Sequence, residues 1–204
     1  MDISLPCQDD ALFLSASGQI DSNYRWDRAR PTAILPGSFN PVHAGHWGLA
    51  AVAAELLGRP VAFELSIANV EKTTLARDEV ERRRAQFTGR APLWLTHAPL
   101  FGQKARLFPG AVFVIGADTT IRIVAPRFYQ HDPQQMEQAL HRLREHGCRF
   151  LVACRVDSAG RCLTLADIAL PLTVRDLFEA IPPERFRFDI CSTEVRARSI
   201  EFPG

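Results

Sequence analysis

The chain has 204 residues, 47% of them hydrophobic, which suits one α/β domain around a single large core. Its 24 Lys and Arg against 23 Asp and Glu leave a formal charge of +1, which excludes the strong basic field of a protein built to bind nucleic acid or an anionic membrane. No apolar run approaches the roughly 20 residues that cross a bilayer, and the first residues lack the basic-then-apolar order of a signal peptide, so a soluble, cytoplasmic protein is expected.

Residues 1–31 read as an N-terminal extension: an apolar patch from Ala11 to Leu14, a turn at Ser17 and Gly18, then a polar stretch, which suits an added strand or hairpin or a loose arm. From residue 32 to 204 the pattern is that of one α/β domain. Short apolar, partly β-branched runs at 32–35, 61–67, 93–96, 111–115 and 150–154 read as buried parallel strands. Between and after them, helices are expected at 46–57, 76–87, 133–146 and 174–180, the first closed by Gly58 and the third by Gly147. This alternation predicts a Rossmann-like parallel sheet with helices on both faces. Residues 156–165, with Ser158, Ala159 and Gly160 as a central turn, read as a hairpin. The five cysteines (Cys7, Cys148, Cys154, Cys162, Cys191) are odd in number and form no CxxC pair, so buried or idle thiols are expected rather than a disulfide framework or a zinc site.

One segment carries chemistry. Gly37-Ser38-Phe39-Asn40-Pro41-Val42-His43-Ala44-Gly45-His46 follows the first strand of the domain and opens its first long helix, at the carboxyl edge where open α/β sheets bind ligands. Gly37 lets backbone approach a ligand, Pro41 stiffens the turn, and Gly45 permits close packing of phosphate at the helix start. His43 and His46, three residues apart, would project from one side of the first helical turn and make an anion site. A single histidine near a helix start is more often a cap; two within a turn shaped by Gly and Pro favour function. No third ligand stands at a zinc-binding spacing, so no protein-held metal is expected. Lys72, after the second strand of the domain, also falls at a carboxyl end, where it can meet a phosphate. Asp118 closes a buried strand beside Gly116 and can accept bonds from ribose hydroxyls or cap the helix beginning near Thr119. Ser192 and Thr193 begin a final helix with Arg196 one turn along, so hydroxyls, amides and a guanidinium converge there.

These segments resemble a known family. GSFNPVHAGH is similar to the GxFxPxHxGH signature of the HxGH nucleotidylyltransferase superfamily, in the form found in nicotinamide and nicotinic-acid mononucleotide adenylyltransferases. Ile115-Gly116-Ala117-Asp118 resembles its strand-end IGxD. Cys191-Ser192-Thr193-Glu194-Val195-Arg196 resembles its late ISSTxxR, with cysteine for the first serine. The resemblance implies that Gly37, Ser38, Phe39, Asn40, His43, His46, Ser192, Thr193 and Arg196 bind the nucleotide. It also implies that His43, His46 and Lys72 serve catalysis and that Lys72 and Asp118 meet the second substrate. The implied reaction moves an adenylyl group from ATP, with Mg2+ carried on the triphosphate, to a phosphorylated small molecule; nucleic acid and membrane are not partners, and a homo-oligomer is left open. The sequence departs from the family in lacking a tryptophan after IGAD, where the pyridine ring would stack. Phe128, Tyr129, Trp94 and Phe101 are the candidate substitutes. Transfer to another phosphorylated acceptor, with CTP as donor, and a non-catalytic nucleotide sensor are the competing readings.

Overall fold

A computed structural model describes residues 10–21, 24–27, 32–68, 74–156 and 160–187. After the N-terminal strands β1 (Ala11–Leu14) and β2 (Ile20–Asp21), the chain alternates β3 (Ala33–Pro36), α1 (Ala44–Leu57), β4 (Val61–Ser66), α2 (Arg77–Ala85), β5 (Leu93–Thr96), α3 (Phe101–Leu107), β6 (Val112–Gly116) and α4 (Ala117–Ile123). It continues through α5 (Pro133–Glu145), β7 (Arg149–Ala153), the short pair β8 (Arg155–Val156) and β9 (Cys162–Leu163), and β10 (Phe178–Ala180). The sheet order is β10-β7-β6-β3-β4-β5-β1-β2, with β10, β7, β6, β3, β4 and β5 parallel. The expected α/β, Rossmann-like fold is thus observed.

Alternation along each strand sends side chains to two separate cores. Leu35, Phe63, Leu65, Leu93, Val114 and Leu151 face α1 and α2 and meet Ala53, Val80 and Phe87. Ile34, Ala62, Trp94, Phe113, Phe150 and Val152 face the other way and meet Ala105 and Phe108 near α3 and the Met136, Leu140 and Leu143 stripe of α5. Burying each of the larger side chains contributes about 1.5–3 kcal/mol, so both layers hold the sheet. The helix ends follow the capping chemistry. Gly58 takes the left-handed conformation (φ 61°) after α1, and Asp132 caps α5 by accepting from the backbone N–H of Gln134 at 2.8 Å, with Pro133 following it.

The structure corrects several expectations. Residues 174–180 are not a helix: a 3-10 turn over Leu172–Leu177 leads into β10. The free edge of β7 offers a parallel ladder, Phe178 stacks on Phe150 with ring centroids 4.8 Å apart, and this pairing overrides local helix propensity. The segment after β7 forms the expected hairpin as β8 and β9, but Cys154 and Cys162 across its base are disulfide-bonded with Cα atoms 5.8 Å apart. The chain's odd cysteine count could not exclude one local bridge; Cys148 is free and buried, and Cys7 and Cys191 lie outside the described residues. In residues 1–31, β1 adds antiparallel to β5, and Phe13, Tyr24 and Trp26 enclose Trp94 on the α3 side. The short α3 was not expected, because seven residues carry too few apolar positions to show a helical period. No helix among the described residues is long and apolar enough to cross a membrane.

Candidate functional site

The turn after β3 is built by backbone constraints that few residue types satisfy. The Gly37 N–H donates to the Glu64 carbonyl at 3.0 Å, and a Cβ at Gly37 would lie 2.6 Å from Cε1 of Phe39, so the position accepts only glycine. Phe39 has a positive φ of 45°, and the Asn40–Pro41 peptide is cis. The Phe39 ring is fully buried, edge-on to Phe63, Phe87 and His46. Its side chain therefore anchors the turn from below, and any contact it makes with a nucleotide is limited to its backbone.

Side chains from α2 and from Gln86, the residue that caps its end, hold the turn from outside, a support the sequence did not suggest. Gln86 spans it: its Nε2 donates to the Phe39 carbonyl at 3.0 Å, and its Oε1 accepts from the Val42 N–H at 2.9 Å. Arg82 donates to Asn40 Oδ1 at 2.6 Å and buried Arg83 to the Ser38 carbonyl at 2.9 Å. Glu79 binds both guanidiniums, at 2.7 Å and 2.6 Å, and these bonds, that from Arg82 first, hold its carboxyl well below the usual range. Ser38 and Asn40 are thus occupied through a carbonyl and an amide oxygen, which leaves the exposed Ser38 side chain as the polar group at the mouth.

His43 is the N-cap of α1 and His46 its third residue, with the two rings 3.8 Å apart. The backbone N–H of His43 donates to Nδ1 of His46 at 3.1 Å. Burial, then the neighbouring His43, then Arg155, push the His46 pKa down to about 3. His46 is therefore a neutral ring at ordinary pH, and since its Nδ1 accepts, its proton sits on Nε2. Burial first and Arg155 second lower His43 as well. Arg155, at the start of β8 beside the disulfide, thus acts electrostatically on both imidazoles; it lies outside every recognised motif and its place is set only by the turn of the chain after β7.

Asp118 lies in the first turn of α4 rather than on the preceding strand, which ends at Gly116. It is exposed, and its Oδ1 lies where a Cβ on Gly116 would come within 2.6 Å, so glycine is what lets the carboxylate fold back over the strand end. Lys72, Ser192, Thr193 and Arg196 lie outside the described residues, so the structure does not place them.

A cleft of about 1050 Å³ opens beside the turn at Pro36, Gly37 and Ser38 and runs between α3, α4 and α5. Arg83, Arg106, Arg122 and Arg142 line it with Phe101, Phe128 and Tyr129, a combination that suits an anionic ligand with a planar part. Of the aromatics expected as stacking platforms, Trp94 is excluded because it is enclosed in the core, 3% exposed. Tyr129 is tied by its hydroxyl to the Ile123 carbonyl at 3.0 Å, and Phe101 packs against Phe113 and Phe150 while still meeting the cleft. At the floor, Lys104 donates to both oxygens of Glu64 at 2.7 Å, a buried ion pair that carried no signal in the sequence.

A parallel sheet whose carboxyl edge joins a glycine-shaped turn, two imidazoles and a cationic cleft defines an α/β protein suited to binding an anionic ligand such as a nucleotide. A family model described as cytidylyltransferase-like matches residues 34–198, and the chain belongs to that family of nucleotidyltransferases. Its substrates are in general a nucleoside triphosphate and a phosphorylated acceptor. No curated protein sequence is significantly similar to it.

Proposed function

We propose that the protein transfers the adenylyl group of ATP to nicotinamide or nicotinic-acid mononucleotide and releases pyrophosphate. The observation that carries this reading is the pair of imidazoles, 3.8 Å apart at the head of α1, with the cationic and aromatic cleft opening at Gly37 and Ser38 on the same sheet edge. A phosphate oxygen of the acceptor attacks the α-phosphorus in line, the bond to the bridging oxygen of the β-phosphate breaks, and pyrophosphate leaves. No enzyme nucleophile is needed; alignment and charge are the enzyme's contribution. His46 donates through Nε2 to the transferring phosphoryl group without titrating, and His43 stands beside it. Ser192, Thr193 and Arg196 hold the β- and γ-phosphates, Lys72 meets a phosphate of either substrate, and Asp118 accepts from a ribose hydroxyl.

Mg2+ arrives chelated by the triphosphate, since this ion keeps most of its water and needs few protein ligands. Phe101, Phe128 or Tyr129 takes the place of the missing tryptophan, and all three meet the cleft.

The test incubates the protein with Mg2+, either ATP or CTP, and each mononucleotide, and identifies the dinucleotide by mass. Adenine dinucleotide from ATP is the expected product. Pyrophosphate released with some other phosphorylated acceptor, and no dinucleotide from either mononucleotide, would keep the transferase and end the pyridine reading.

A further inference from the structure

The proposed phosphate contacts leave the buried pair of Glu64 and Lys104 unused. The alternation of β4 sends Glu64 to the α3 face together with Ala62, into a layer otherwise made of Ile34, Trp94, Phe108 and Phe113. Its side chain is 1% exposed and that of Lys104 is 5% exposed, yet both line the cleft. Thr96 donates its hydroxyl proton to Glu64 Oε1 and accepts at 3.3 Å from the Ala98 N–H, so the carboxylate is fixed from the sheet side as well.

A pair so placed is poorly explained by stability, because apolar residues of similar volume often replace a buried ion pair without loss. Its hydrogen-bonding capacity is informative. Lys104 directs two N–H bonds to Glu64, out of the three that an ammonium has. Glu64 accepts three bonds, from Lys104 twice and from Thr96, out of about four that a carboxylate can take. One donor on Lys104 Nζ and one acceptor on Glu64 therefore remain, with Nζ and Oε2 2.7 Å apart, at a point of zero net charge. Phe101, one turn earlier on α3, meets the same cleft, so a ring lying against it would bring a ring substituent towards the pair. A primary carboxamide matches that arrangement: its oxygen accepts from Lys104 Nζ and its NH2 donates to Glu64 Oε2. A carboxylate in the same place gives Glu64 no proton and sets like charge against it.

We infer that Glu64 and Lys104 determine acceptor specificity, admitting a phosphorylated acceptor whose ring bears an uncharged carboxamide and discriminating against its carboxylate counterpart. The inference rests on the pyridine-mononucleotide reading above and narrows it to the amide. The test compares kcat/KM for nicotinamide and nicotinic-acid mononucleotide, with ATP, in the wild type and in Glu64→Gln. The wild type should favour the amide by about tenfold or more, and Glu64→Gln should move the ratio towards the acid by about tenfold, since an isosteric amide leaves Lys104 uncompensated. A double variant, Glu64→Leu with Lys104→Met, removes both charges without orphaning either; it should lose the preference while keeping the KM for ATP, and it decides the matter if the single variant does not fold. A ratio unchanged from wild type in these variants overturns the inference alone. Turnover of another phosphorylated acceptor with neither mononucleotide used ends the inference and the pyridine reading together.

Discussion

The turn that carries His43 and His46 and the cleft that ends at Lys104 share one sheet edge but are supported from opposite faces. The turn is over-determined: Gly37 cannot carry a Cβ, Phe39 holds a positive φ, and Gln86, Arg82 and Arg83 grip its backbone and Asn40 from α2 and its capping end. The cleft is lined mainly by side chains of α3, α4, α5 and the segment between the last two, with Glu64 from β4 and Arg83 from α2, and none of these residues has a positive φ. Phosphoryl chemistry demands one fixed geometry and so restricts residue types, whereas acceptor recognition demands only shape and charge, which many residue sets can supply. On the proposed reading, the half of the site assigned to phosphoryl transfer is therefore closely restricted in residue type, and the half assigned to the acceptor is restricted less.

The sharpest way to break this contrast is at the turn. His46→Ala should lower kcat by about 10²- to 10³-fold while leaving the fold intact, the usual loss when one preorganised donor is removed from a developing charge. Pyrophosphate release at the parental rate by the purified variant would move catalysis elsewhere. A smaller effect is expected one layer out. Gln86→Leu keeps the volume but cuts both hydrogen bonds that bracket residues 39–42, leaving the Phe39 carbonyl and the Val42 N–H without this partner. Stability should fall by about 1–3 kcal/mol, and kcat by about tenfold through displacement of His43 and His46. A loss of stability with an unchanged kcat would show that the clamp holds the fold and not the site.

How much of this was legible follows the same division. The turn could be read because a close backbone approach, a stiffened turn and two imidazoles leave their mark in residue type at fixed spacing. Asp118 reads in the sequence as closing the strand beside Gly116, or as capping a helix near Thr119; it lies in the first turn of α4 instead, with its carboxylate close over Gly116, a placement that the spacing alone does not reveal. Gln86 and Arg83 were not legible, since on an exposed-looking, arginine-rich helix a clamp residue and a solvated one look alike. Glu64 was hidden inside a run that otherwise reads as buried strand, and its partner comes from a helix too short to show a period. Tertiary pairing with β7 decided residues 178–180, which no local pattern could foretell.

The smallest expected effect concerns protonation, and it tests whether the turn's burial works as described. In the folded protein the His46 pKa lies at about 3, set by burial first and then by His43 and Arg155, whereas in the unfolded chain it takes the ordinary value of 6.5. Above pH 6.5 both states carry the neutral ring, and its contribution to stability is fully present. As the pH falls below 6.5 the unfolded chain binds a proton that the folded ring refuses until about pH 3, so that contribution is lost progressively over this window. The limiting slope for one group is about 1.4 kcal/mol per pH unit; partial exposure of the ring reduces it. His46→Gln removes the titrating group, so between pH 7.5 and pH 5 its Tm should fall by about 2–4 °C less than that of the wild type. An equal fall in both proteins would mean that the ring is already solvated in the native state. The catalytic counterpart is that His46 imposes no loss of kcat on passing upward through pH 6.5, because a ring that accepts at Nδ1 and donates at Nε2 is already in its working form.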